Sequence, residues 1–80
     1  MPKQRVRFTF PAERIQDPII YLLGKDFHVV TNIRRADITD NRGWAVLEIE
    51  GSQEDIEQGL AWVTERGVRV DRIGGDALAG

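Results

Sequence analysis

Eighty residues, 41% of them apolar and 30% charged, make one small domain, whose single core buries only about 60% of the surface the unfolded chain exposes. The chain has no cysteine, which excludes disulfide staples, thiolate zinc sites, iron–sulfur clusters and cysteine nucleophiles. A single histidine leaves no material for a histidine-rich metal site, and a net charge of −2 gives no general reason to seek nucleic acid.

The longest apolar run, Ile19 to Leu23, is far short of the roughly 20 residues that span a membrane, and nothing near Met1 has the layout of a signal peptide. These features predict a cytoplasmic domain with no membrane insertion. Charge is unevenly spread: residues 1–43 carry eight basic and five acidic groups, residues 44–80 three and eight. Either neighbouring strands pair across this divide, or the basic part forms a patch for an anionic partner.

Lys3 to Phe10 alternates, with Val6, Phe8 and Phe10 on one side and Arg5, Arg7 and Thr9 on the other, as in a half-buried strand. Pro11 ends it, because proline cannot donate to a sheet ladder. After a connection over 12–16, Asp17-Pro18 reads as an N-cap with proline at the first helical position. The helix carries Ile19, Ile20, Leu22 and Leu23 and ends near Gly24 or Lys25-Asp26.

His28 to Ile38 is extended and rich in β-branched residues, but Ile33 falls on one parity and Ala36 and Ile38 on the other. A β-bulge near Arg34-Arg35 brings all three to one face, which an edge strand tolerates. Asp40-Asn41-Arg42-Gly43 has turn chemistry, and Trp44 to Glu50 returns with Ala45, Leu47 and Ile49 inward, completing a hairpin.

Gly51 breaks that strand. Ser52 caps a second helix, with Asp55 three residues on in the manner of a capping box and acidic residues in the first turn, where the helix dipole favours them. Ile56, Gly59, Leu60 and Val63 form its apolar stripe, and Gly67 is placed to be its C′ residue. Val68 to Ile73 is a short last strand, and residues 74–80 have no period and read as a flexible tail.

The order is therefore β-α-β-β-α-β, an α+β ferredoxin-like sandwich with a four-stranded antiparallel sheet and two helices on one face. Right-handed crossovers place the first and third strands in the centre. Phe8, Leu22, Leu47, Ile56, Leu60 and Val70 are expected in one core, as a single domain over 1–80 with its core at 5–73.

The uncovered sheet face carries Arg5, Arg7 and Thr9 beside Trp44, Val46, Glu48 and Glu50. Trp44 either folds over the hairpin end or enters a subunit interface. Trp62 lies about 100° off the second helix's stripe, so it flanks the core or meets a partner. RNA-recognition modules share this element order but stack bases on outward aromatics of the central strands, and here the phenylalanines of the first strand point inward. No catalytic residues are expected: His28 has no obvious nucleophile beside it and reads as a strand-end residue, and Gly74-Gly75 lacks the rest of a phosphate loop.

Residues 5–73 resemble the NIL domain, an ACT-like ferredoxin-fold module. The stretches that carry the resemblance are Asp17-Pro18-Ile19-Ile20, Lys25-Asp26-Phe27, Thr31-Asn32-Ile33, the Gly43 turn, Leu47-Glu48-Ile49-Glu50-Gly51, Ala61-Trp62 and Gly67-Val68-Arg69-Val70. The family's Asn-Ile-Leu signature stands here as Asn32-Ile33-Arg34.

Such domains occur at the C-terminus of methionine-importing ABC transporter ATPases, where a dimer binds methionine, and beside ferredoxin modules linked to sulfur amino-acid metabolism. This chain has neither an ATPase nor a cysteine cluster motif, so it is expected to be free-standing or an excised domain.

The resemblance implies a non-enzymatic regulatory domain, without cofactor or metal, binding methionine or a related sulfur amino acid at a homodimer interface. Asn32, Ile33 and Arg34 are the expected ligand-binding residues. A bulged edge strand offers backbone groups to an amino acid's ammonium and carboxylate, and Asn32 adds a donor and an acceptor. Alternatively, Asn32 satisfies its own backbone at the bulge. The competing function is a ligand-free interaction module that docks on a ferredoxin-type or sulfur-metabolism partner.

Overall fold

Two residue periods organise the chain, and the computed structural model, which describes residues 2–73, follows both. The elements are β1 (Lys3–Phe10), a 3-10 turn (Ala12–Arg14), α1 (Ile19–Asp26), β2 (Val30–Ile38), β3 (Gly43–Glu50), α2 (Gln53–Glu65) and β4 (Arg69–Arg72). The strands form one antiparallel sheet in the order β2-β3-β1-β4, with β1 and β3 central. The expected ferredoxin-like architecture is the observed one. The tail over 74–80 lies outside the described residues, as does Met1.

Period-two burial is strict in the central pair. Val6, Phe8 and Phe10 of β1 and Ala45, Leu47 and Ile49 of β3 point to the helices, and each is at most 6% exposed. Val6 lies opposite Leu47, and Phe8 opposite both Ala45 and Val70. From the helix side, Ile56, Leu60 and Val63 close the core, while Gly59 lets α2 approach α1 closely. A Cβ at Gly59 would stand 2.6 Å from Leu23 Cδ1.

The ends of α2 form as expected. Ser52 Oγ accepts the Asp55 backbone N–H at 3.0 Å, satisfying a donor that has no intrahelical partner. At the other end Gly67 takes φ +92°. Its N–H donates to the Thr64 carbonyl, and the Val68 N–H to the Val63 carbonyl, which is the Schellman pattern.

Helix α1 departs from expectation in three respects. Asp17 does not cap it: the Asp17 carboxylate is held by Arg14 at 3.1 Å, and Pro18 occupies the cap position with no side-chain bond. An ion pair three residues back thus outcompetes the cap. Leu22 is only half-buried, because the eight-residue helix turns Ile19 and Leu23 inward, four residues apart, and leaves Leu22 on the flank. His28 lies before the strand, in the link from α1, at φ +57°. Among the described residues no helix is long and apolar enough to cross a membrane.

Candidate functional site

Strand β2 is the anomaly of the fold. Among the described residues it pairs only with β3, and of its nine residues all but Thr31 are exposed, so a row of its backbone N–H and C=O groups faces outward with no described strand partner. The expected bulge is present: Ile33 lies opposite Leu47, but the next partner along β3, Val46, faces Arg35. The extra residue returns Ile33, Ala36 and Ile38 to the helix side, opposite Leu47, Ala45 and Gly43.

That side is nevertheless bare. Ile33 is 52% and Ile38 54% exposed, and Tyr21 on the outer flank of α1 is 65% exposed. Beside Ile38 lies an apolar cleft of about 160 Å³, lined by Phe10, Ile15, Pro18, Ile19, Ile20 and Tyr21, with Asp17 as its one charged residue.

Asn32, Ile33 and Arg34 all lie on this edge but do not converge in one protomer. Asn32 faces Glu48 on the open side of the sheet, whereas Ile33 faces Leu47 on the helix side. Arg34 occupies the bulge and borders a depression on the open face with Arg5, Arg35, Val46 and Ile73. Among the described residues the Asn32 side chain makes no hydrogen bond, to its own backbone or elsewhere. Sequence reasoning paired Arg34 with Arg35 at the bulge but missed their company with Arg5, and it missed the cleft beside Ile38.

The open face otherwise follows its sequence. Arg5 donates to Glu48 at 2.7 Å, a cross-strand pair spanning the basic and acidic parts of the chain. That hydrogen bond holds the Glu48 carboxyl below its ordinary value, against some desolvation and with help from the Arg34 and Lys3 charges. Trp44 is half-buried, with the Arg7 guanidinium 4.9 Å from its ring centroid. Trp62 flanks the core: its ring packs on Phe27 at 5.4 Å and under Arg66. Arg72 grips Glu57 through two hydrogen bonds of 2.7 and 3.1 Å, lowering that carboxyl as well.

A one-sided ferredoxin-like sandwich with a bare, bulged edge strand is a small α+β module. The family model of the NIL domain matches residues 4–72, and the chain belongs to that family. Among solved structures it resembles the C-terminal domain of an ABC transporter/ATP-binding protein from Enterococcus faecalis, with a TM-score of 0.80 and 21% identity over 90% of this chain and 84% of that one. It also resembles the de novo designed protein Ferredog-Diesel, with a TM-score of 0.53 and 16% identity over the same shares of the two chains. Both likenesses concern the fold. A shared architecture does not by itself imply a shared function. Among curated proteins no sequence matches significantly.

Proposed function

We propose that this NIL domain is a non-enzymatic regulatory module that binds a small amino acid, methionine or a related sulfur amino acid, at the interface of a homodimer. The observation that carries this reading is the bare β2 edge, with Ile33 and Ile38 exposed beside an apolar cleft. Unpaired strand groups and uncovered isoleucines together favour a second strand laid alongside.

Two β2 edges set antiparallel with their bulges facing keep the sheet faces in phase. Ile33 then falls opposite the partner subunit's Ala36, and Thr31 opposite the partner subunit's Ile38. Asn32 and Ile38 face opposite sides of the sheet, and pairing in phase keeps them apart, so one small ligand does not bridge the Asn32 amide and the helix-side cleft. The ligand is therefore placed on the open side at the paired edges, where the Asn32 amide, a donor and an acceptor, suits a carboxylate and an ammonium.

Sedimentation equilibrium at micromolar protein tests the dimer. A mass of 9.1 kDa at every concentration would reject both the dimer and an intersubunit site. Calorimetric titration of methionine into wild type and Asn32→Ala tests the ligand. The variant should bind more weakly by about 1–3 kcal/mol, as for a polar group that loses its partner, with little change in melting temperature. Wild type that binds no methionine at millimolar ligand would reject the methionine reading.

A further inference from the structure

Among the described residues nothing covers the sheet face opposite the helices, and that face is basic in a chain of net charge −2. The strand registers place Lys3, Arg5, Arg7, Arg35 and Arg69 there, and the bulge adds Arg34. Four carboxylates share the face: Asp37, Glu48, Glu50 and Asp71. Two of the four are already engaged, Glu48 with Arg5 at 2.7 Å and Asp71 with Arg69 at 3.1 Å. Among the described residues no ion pair holds Arg34 or Arg35.

The charges surround half-buried apolar groups rather than replacing them. Val46 and Ile73 floor the depression of about 390 Å³ that Arg5, Arg34 and Arg35 border. Trp44 lies two residues along β3 in a neighbouring depression with Arg7 and Arg42. Arginine and tryptophan around a small apolar centre is the composition of protein interfaces and their energetic anchors.

We propose that this open face is a docking surface for an acidic protein, seated on Val46 and Trp44 and held by Arg5, Arg34 and Arg35. Guanidinium groups match carboxylates in a planar, two-pronged geometry, and the surplus of positive charge steers an acidic surface toward the face. A nucleic acid fits less well. Its continuous phosphate backbone would run over Glu48, Glu50 and Asp37, and the one aromatic on the face already has Arg7 across its ring. This surface is distinct from the helix-side cleft beside β2 and shares the open face with Asn32, but it needs no bound amino acid.

The test is an NMR titration of the full chain with a short oligoglutamate, with oligothymidylate in parallel. Shifts should concentrate at Arg34, Arg35, Val46 and the Trp44 indole and should fade with added salt. Arg34→Glu/Arg35→Glu should lower the affinity for oligoglutamate by about tenfold or more, since several exposed pairs are lost and reversed. Lys25→Glu, half that charge change and placed on α1, should leave it within about twofold. Both changes are on exposed side chains, and unchanged melting curves would establish that the variants fold.

Four results would overturn the proposal: no binding at millimolar oligoglutamate; equal losses in the two variants; tighter binding of oligothymidylate; or shifts at Val46 and the Trp44 indole on dilution of the chain alone. The last would make a second copy of the chain the occupant.

Discussion

Gly59→Ala measures how tightly the two helices are held together. In a helix interior, alanine is favoured over glycine by about 0.8–1.0 kcal/mol, so on an open face the change would stabilise. Here the new methyl would stand 2.6 Å from Leu23 Cδ1 and 3.5 Å from Phe27 Cβ, and Leu23 is only 1% exposed, with little space into which to retreat. Overpacking of this kind costs about 1–3 kcal/mol, so the net effect should run from nearly neutral to about 2 kcal/mol destabilising.

Leu23→Ala removes the opposing methyl and by itself should cost about 2–5 kcal/mol. In that background Gly59→Ala no longer collides and should stabilise by at least its helix propensity. The two substitutions are therefore coupled by about 1–3 kcal/mol, well above the error expected for independent sites. Urea unfolding of the four proteins at one fixed protein concentration yields the coupling from the midpoints. If Gly59→Ala stabilises the wild-type chain by the full propensity gain, the close approach of α1 and α2 described above is wrong.

Leu47→Ala, at a fully buried position between the helices and opposite Val6, should destabilise by about 2–5 kcal/mol in the same assay. Ser52→Ala removes the acceptor for the Asp55 N–H and should cost about 1 kcal/mol, read as a lower urea midpoint with an unchanged slope. Glu48 and Glu57 have carboxyls held below the ordinary value of 4.5 by hydrogen bonds from Arg5 and Arg72. The unfolded chain therefore binds protons first as pH falls, and the stability these pairs contribute, present above 4.5, is lost as pH drops through the lower folded values. Both pairs are exposed, so the effect is small. It is tested by melting curves at acid and neutral pH for wild type and Arg72→Gln, whose acid-dependent loss should be the smaller.

The sequence was most legible where one period acts alone. β1 and β3 alternate because one face meets helices, and α2 shows its stripe because it lies flat on the sheet. The bulge could also be read, since only an inserted residue puts Ile33, Ala36 and Ile38 on one side. The bareness of that side could not. Residue pattern shows which way Ile33 points, whereas whether an element covers it depends on the length and placement of α1. The N-terminus of α1 was misread for a related reason: Asp17 has the chemistry of a cap, but Arg14, brought near by the 3-10 turn, claims its carboxylate. For the candidate site, Asn32, Ile33 and Arg34 are contiguous in sequence yet divided between two faces of the sheet. Only the folded register reveals that Arg34 keeps company with Arg5.

The extra residue in β2 also means that the hairpin is one codon longer than its ladder requires. Deleting a residue inside a strand ordinarily inverts every side chain on one side of the cut. Deleting Arg34 does not, because Ile33, Arg35, Ala36, Asp37 and Ile38 then alternate without interruption and each keeps its present partner on β3. Deleting Asn32 instead would turn Ile33 to the open face and Arg34 toward the helix side. The strand can thus shorten at the bulge with its faces intact, and what it gives up there is a guanidinium rather than any part of the fold.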